Sequence, residues 1–449
     1  MSRKKWIWVG LVLLLAVALV ACNSKEEPAQ TTSTTNEGGS DKTEEPSTTD
    51  SDQEPVELTF WILGEPGYDD GLIQEWNEQN PHIQVTYQKT ADQAAHHNNL
   101  LTALTGGAGA PDIFMLEIAF MERFISATDQ FYNLYDYGAE AIRGEYLDWK
   151  WQQATTPDDS FLIGLPTDIG PTVVYYRADL IEQAGLPSDP EEFGALIDTW
   201  DKFADVARQF KEATGKSFVD TTDLLFNAFR DQSDGFIYYN HDNEFIGHEN
   251  PQVIKGYEYT VQGIQEGWVH NVALWSTEWT QAMNDGDFAV MLAPAWMQGY
   301  MKGNAPDGAG QWRVTQMPEG SGNWGGSFLT LPKQGQHPEE AYAFISWLVN
   351  RENQLRSFES HGLMPSIPSL YEDPAFVNYT DDFFGGQQIA VEFGEAATRV
   401  KPVYYGPLHD STDSLIKDAL QNVLETGADP EAEWEKFVEQ AQTLARRGE

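Results

Sequence analysis

The chain is predicted to be an α/β protein with two lobes, and three observations carry that prediction. Strand-like and helix-like patterns alternate from residue 56 onward. The first of them form a strand–helix–strand unit, which calls for a parallel pair with a right-handed crossover. The 449 residues are 41% hydrophobic and 12% aromatic, enough for more core than one lobe needs.

The elements follow in order. In "VELTFWI", Val56, Leu58, Phe60 and Ile62 alternate with Glu57, Thr59 and Trp61, which is a strand. Leu72, Ile73 and Trp76 make a helical stripe that ends near "NEQNP". "HIQVTYQ" alternates again through Ile83, Val85 and Tyr87. A second helix carries Leu100, Leu101 and Leu104 into the glycine-rich "TGGAGAPD", and the apolar strand "DIFML" follows. Repeated units of this kind put helices on both faces of a sheet. Ligands then sit at the carboxyl ends of the strands, here at "LGEPG" and Glu117.

Further along, Thr172 to Tyr176 is an apolar strand. Helices are predicted at 199–212 and 251–266. "GDFAVMLAPAW" and "WGGSFLTLP" are strands. Ala341, Phe344, Ile345, Leu348 and Val349 mark a helix with Pro338 in its first turn. The last helices are predicted at 413–425 and 430–446, and no solenoid repeat is present.

The amino terminus reads differently. Arg3, Lys4 and Lys5 precede an uncharged run from Trp6 to Ala21, and the chain's single cysteine, Cys22, closes it. The run has the length of a signal-peptide core and is short for a membrane span. "LVAC" resembles a bacterial lipobox, in which cleavage leaves Cys22 to carry a diacylglycerol. An ordinary secretion signal or an N-terminal anchor with an incidental cysteine is the alternative. Residues 1–21 are read as the signal peptide and 22–55 as a tether. After Cys22 the tether's only aliphatic side chain is Ala29, so it cannot bury enough surface to order itself. One cysteine excludes a disulfide within the chain.

Charge narrows the partners. The formal net charge is −43, and loss of residues 1–21, which carry three positive charges, takes it to −46. Nucleic acid needs a basic footprint, so it is excluded as a partner, and anionic headgroups would be repelled. Acidity of this size suits solubility outside the cell. The histidines have no ligand spacing beyond the adjacent His96-His97, so no metal is expected. "TGKS" fails as a P-loop because Phe210 stands where the first glycine belongs. "GGSFL" lacks the closing glycine of a nucleophile elbow, and no H-E-x-x-H occurs.

The order of "ELTFWI", "LLTALTGGAGAPDIFMLE", "GLPTDIGPTVVYYRADLIEQAGL", "MNDGDFAVMLAPAW", "WGGSFLTLPKQGQHPEEAYAFISWLVNRENQ" and "HGLMPSIPSL" resembles the extracellular solute-binding proteins of ABC importers, the family that includes maltose-binding protein. These stretches span almost all of 56–449. One departure is visible: "SDPEEFGALI" is inserted before "DTWDKF", away from the expected cleft. The resemblance implies a two-lobed, periplasmic-binding-protein-like (type II) fold with a hinge. It implies an N-terminal lobe of 56–166 plus about 312–365, and a C-terminal lobe of about 167–311 plus 366–449. Crossings are expected near Pro166, Gln311 and Pro365. A carbohydrate, an oligosaccharide by preference, would bind between the lobes without being chemically altered. The partners implied are separate permease chains and an ATPase, with the receptor a lipid-anchored monomer on a Gram-positive surface. No cofactor is implied.

Sugar rings need flat aromatic faces and carboxylate or amide edges. Trp61, Trp296 and Trp324 lie where the family places stacking rings, with Trp275 and Tyr405 as further candidates. Tyr404 and Tyr405 are the weaker ones, and Trp275 and Trp279 could each be core or cleft. Glu117 and Asp168 are the expected hydroxyl acceptors, and Gly325, Gly326 and Ser327 the expected backbone donors. Asp223 and Arg230 are unranked. Arg177 is expected to be structural, and Trp200, Trp347 and Trp434 to be core. A receptor for a peptide or an osmolyte on the same fold, or a surface glycosidase working through two carboxylates, would be compatible with the same residues.

Overall fold

The computed structural model describes residues 55–448, apart from 65, 66 and 69. The segment read as a signal peptide, Cys22 and most of the segment read as a tether lie outside the described residues.

The strands are β1 (Val56–Leu63), β2 (Ile83–Thr90), β3 (Ile113–Glu117), β4 (Gly164–Pro166), β5 (Asp168–Ile169), β6 (Thr172–Arg177), β7 (Ser217–Val219), β8 (Gly235–Phe236), β9 (Phe288–Pro294), β10 (Trp312–Thr315), β11 (Ser327–Thr330), β12 (Met364–Pro365) and β13 (Val403–Tyr404). Two main sheets result. The first has the order β2-β1-β3-β11-β4, with β1 parallel to β2 and β3, and β11 antiparallel to β3 and β4. The second has the order β10-β6-β9-β7. The βαβ start read from the sequence is present. Leu58, Phe60 and Ile62 face the first core, with Leu72, Ile73 and Trp76 against it. In the helix Gln93–Gly106, Leu100 is buried but Leu101 is 44% exposed, so Leu101 leaves the stripe assigned to it. A helix face covers about 100°, and Leu101 lies one step past its edge.

Three chain segments join the two sheets, side by side. Between β4 and β6, β5 runs antiparallel to β12, so the crossings expected near Pro166 and Pro365 are hydrogen-bonded neighbours. The third segment runs from β10 to β11. The crossing expected near Gln311 comes later, because β10 pairs antiparallel with β6 through Thr315 and keeps the chain in the second sheet. Asn323 bridges Pro171, and the Thr172 N–H donates to the Gly322 carbonyl at 2.9 Å, tying this segment to the first.

The helices predicted at 251–266 and 430–446 are Pro251–Glu266 and Pro430–Arg447, each opened by an Asn or Asp cap and a proline. The helix predicted at 413–425 starts earlier, at His409. The inserted segment is a helix, Pro190–Leu196, capped by Asp189 and anchored by the buried Phe193 ring, 4.4 Å from that of Tyr176. Among the described residues, no helix is long and apolar enough to cross a membrane.

Candidate functional site

The carboxyl end of β3 and the segment before β11 meet at the joining segments, and the candidate residues fall there in two groups.

The first group is aromatic. Trp296 follows β9, and its indole N–H donates to the Trp324 carbonyl at 2.9 Å. The rings of Trp296 and Trp324 are 5.3 Å apart, and Trp275 lies nearly parallel to Trp296 at 6.2 Å. Tyr300 stands edge-on to Trp275 at 5.1 Å. Trp275 is 47% exposed and has a left-handed backbone (φ 67°), a strained conformation for a bulky residue that surrounding packing must hold in place. These rings form one half-exposed wall. Trp279 touches the wall from behind but is fully buried, its N–H donating to Asp220 at 2.8 Å, so it is core.

The second group is polar and buried. Glu117 is 8% exposed and closes β3. Its Oε2 accepts from the Ala119 N–H (2.7 Å) and from Gln93 Nε2 (2.8 Å). Its own backbone N–H donates to His97 Nε2 at 3.1 Å. His97 therefore carries its proton on Nδ1, which faces the Gln93 carbonyl at 2.8 Å. Burial holds His97 neutral, pushing it down to about 3. Asp168 Oδ1 accepts from the Ser327 N–H (3.0 Å) and Thr167 Oγ1 (2.6 Å). Among the described residues, Glu117 Oε1 and Asp168 Oδ2 accept no hydrogen bond, so each carboxylate keeps an acceptor for a ligand. Burial raises both carboxyls, Glu117 to about 7.

Between them lies Lys150, fully buried, with its Nζ bonded to no partner among the described residues. The ammonium sits 3.9 Å from the centre of the Phe328 ring, a cation–π contact. Burial lowers it to about 8, against the pull of Asp168 and Glu117. Gly326 makes room for it. A Cβ there would lie 2.8 Å from Nζ and 2.6 Å from the Asp168 carbonyl oxygen, and its φ is 96°. Gly326→Ala is expected to destabilise the fold by roughly 1–3 kcal/mol. A thermal melt within error of the parent would disprove this packing.

From the other side comes the helix His409–Thr426. Lys417 pairs with Asp413 at 2.7 Å, and its Nζ lies 6.0 Å from the centre of the Trp324 ring. Asp413 also binds Arg230 and the Tyr238 hydroxyl, and strong pairing holds it well below the usual carboxylate range. Arg230 further binds Asp231 at 2.8 Å, so it is a buried brace. Asp223 and Asp410 border this network, both raised by burial.

The remaining candidates divide. Gly325 turns the chain (φ 85°), and Asn323 holds that turn by accepting from the Gly170 N–H and donating to the Gly325 carbonyl. Tyr405 is 4% exposed and donates to the Asn323 carbonyl at 3.2 Å, so it supports the wall from beneath. Trp61 packs on Phe114 at 6.4 Å, against the first core, and no contact among the described residues joins it to the wall. Of "LGEPG", 65 and 66 lie outside the described residues, and Gly67 abuts Ser357 and His361. Arg177 is structural, gripping Asp179, the Met283 carbonyl and Gln311. Trp200 is buried on Phe229, while Trp347 and Trp434 are half-buried against the first core. His96 and His97 are core residues, and no metal-holding cluster occurs among the described residues.

Sequence reasoning missed Lys150, Gln93, His97, Lys417, Asp410 and Tyr300. Only Lys417 had a local signal, its helical i,i+4 spacing from Asp413. The aromatic wall beside acceptor carboxylates suits a neutral, polyhydroxylated ring ligand.

The chain was compared with known proteins. Residues 63–355 match the family model described as bacterial extracellular solute-binding protein. An arabinooligosaccharide-binding protein of Halalkalibacterium halodurans is 25% identical over 398 residues, 83% of this chain and 86% of that one. A crystal structure titled as an extracellular solute-binding protein family 1 is 32% identical, with a TM-score of 0.80 over 87% of this chain and 100% of that one. A transporter-associated binding protein of B. animalis subsp. lactis, in complex with β-1,6-galactobiose, shares the fold at 20% identity, with a TM-score of 0.71 over 87% of this chain and 99% of that one.

Proposed function

Because this chain belongs to the bacterial extracellular solute-binding protein family, we propose that it captures a carbohydrate between its lobes and delivers it to the permease of an ABC importer. The observation that carries the reading is the wall of Trp275, Trp296 and Trp324 beside Glu117 and Asp168. Indole faces cover the apolar C–H faces of a sugar ring. The unfilled carboxylate oxygens accept its hydroxyls as charge-assisted hydrogen bonds. Names of relatives that bind arabinooligosaccharide and β-1,6-galactobiose support the same ligand class. Gly325, Gly326 and Ser327 shape the floor.

The ligand is released unaltered, so the protein is a receptor and not an enzyme. The lobes close about their three joining segments, and closure follows only from tighter ligand binding in the closed state. The closed face is what the permease reads, and a cytoplasmic ATPase on separate chains drives import. A diacylglycerol on Cys22 holds the monomer at the outer face of a Gram-positive membrane. Two acyl chains suffice for stable anchoring, and residues 23–55 give it reach.

The test is a thermal-shift and tryptophan-fluorescence screen of the chain from Cys22 onward, with Cys22→Ser to keep it free of lipid. Mono- and oligosaccharides would be compared with amino acids, peptides and betaines. A bound sugar at 100 times its Kd should add about 2.7 kcal/mol of stability. A response confined to peptides or betaines would remove the carbohydrate reading and leave the fold. Conversion of a sugar to product would remove the receptor reading.

A further inference from the structure

The first turn of the helix Gln93–Gly106 grips Glu117 at two points. Asp92 caps this helix by accepting from the Ala95 N–H at 2.6 Å, so Gln93 is its first residue. One turn on, His97 is buried and bridges the Gln93 carbonyl (2.8 Å) and the Glu117 N–H (3.1 Å). Its ring also stacks on Phe120 at 4.0 Å, in the short helix Ile118–Phe120 that follows Glu117. The backbone of Gln93 is thereby fixed relative to that of Glu117.

The Gln93 residue itself is exposed. An exposed glutamine is ordinarily left to solvent, but here Nε2 donates to Glu117 Oε2 at 2.8 Å. That oxygen already accepts from the Ala119 N–H at 2.7 Å. The second donor changes what the group can do, because a carboxyl turns easily about its last torsion. One donor pins an oxygen and leaves the plane of the carboxylate to swing about it. Two donors on the same oxygen, one from the main chain and one from a tethered amide, hold the plane. The lone pairs of Oε1 then keep one direction. Among the described residues, Gln93 is the only side chain that donates to Glu117.

Other elements face the same carboxyl with charge rather than with a bond. Lys150 acts on it from the helix Asp148–Gln152 and Asp410 from His409–Thr426, while His97 is neutral. Burial raises Glu117. The Ala119 N–H, Lys150 and Gln93 pull it back, and Asp410 adds to the rise.

We propose that Gln93 is a positioning residue of the carbohydrate site: its amide holds the plane of the Glu117 carboxylate, so that Oε1 is aimed before the ligand arrives. A ligand hydroxyl that meets a preset acceptor loses no affinity to ordering it. This rests on the carbohydrate reading above.

The test compares Gln93→Met, which keeps the length and removes the donor, with Gln93→Lys, which keeps a donor. Both go into the unlipidated chain and are titrated calorimetrically with the best sugar of the screen, across neutral pH. Gln93→Met is expected to weaken binding about tenfold and to move the pH midpoint of affinity upward. Gln93→Lys is expected to stay within about threefold of the parent and to move the midpoint downward. Thermal melts of both should match the parent, because the position is exposed. A purely structural role would lower the melts and would not move the midpoint in opposite directions. Parent affinity in Gln93→Met would overturn the proposal. A loss with an unmoved midpoint, or an equal loss in both variants, would overturn it too, since the donor to Glu117 would then not be what counts. Absence of sugar binding by the parent would remove the carbohydrate reading instead. The ligand-free protein still decides whether Gln93 holds the carboxylate. Carboxyl-carbon NMR, with the Glu117 signal assigned by its loss in Glu117→Gln, should show the Glu117 titration moving up in Gln93→Met, and an unmoved titration would overturn that bond.

Discussion

Trp296→Ala is expected to weaken carbohydrate binding by about 30- to 1,000-fold, the range for a central aromatic anchor worth roughly 2–4 kcal/mol. Trp296 is the hinge of the wall. It lies nearly parallel to Trp275, touches Trp324, and fixes the Trp324 carbonyl through its indole N–H. Its removal takes away one stacking face and loosens a second. Half-buried as it is, its loss should cost the fold little by comparison. Trp279→Ala provides the contrast. That ring is fully buried and donates to Asp220, whose carboxyl burial pushes up to about 8. Its loss should cost roughly 3–5 kcal/mol of stability. Calorimetric titration with thermal melts separates the two effects. Unchanged affinity in Trp296→Ala would remove the wall from the site.

Lys150→Met is expected to move the pH dependence of binding upward. In the parent, Lys150 lowers both Glu117 and Asp168 against the burial that raises them. With Glu117 near 7, about half of it is ionised at neutral pH, and affinity should fall as the pH drops through that value. Without the ammonium both carboxyls rise further, so less of Glu117 is ionised at neutral pH and affinity drops there. Raising the pH should recover it, which a merely misfolded variant would not do. The stability effect has its own sign. The folded-state value of Lys150 is depressed from 10.5 to about 8. Its contribution is therefore full above 10.5 and lost as the pH falls through 8. The variant should lack the gain in stability that the parent shows between those values. A binding profile that keeps the parent's midpoint would show that Lys150 does not set the charge of these carboxylates.

How legible was all this beforehand? Trp296 and Trp324 were singled out by the resemblance to the family, and Trp275 was left open between core and cleft. Trp61 was singled out on the same ground. It lies two residues before the end of β1, on the face that packs against Phe114. Strand alternation says that two faces exist and not what covers each. The polar group was legible only at its chain-end members. Glu117 and Asp168 follow strands, and strand ends are where ligands bind. Lys150 has no such address. It sits in a short helix, Asp148–Gln152, between two tryptophans, and reads as an ordinary surface lysine.

What the sequence determined by itself is what repeats locally. Hydrophobic periods of two and of 3.6, proline and Asn/Asp helix starts, and the order of apolar runs are written within a few residues of one another. They settled the alternation of strands and helices and the resemblance to the family. The tertiary structure alone decided what those elements enclose. The sheet pairing of β10 moved a crossing past Thr315. The approach of Gly326 to Asp168, across more than 150 positions of chain, created the space that Lys150 fills. A buried ammonium between two carboxylates depends on long-range packing and on the loss of water around it, and neither leaves a periodic trace in the chain.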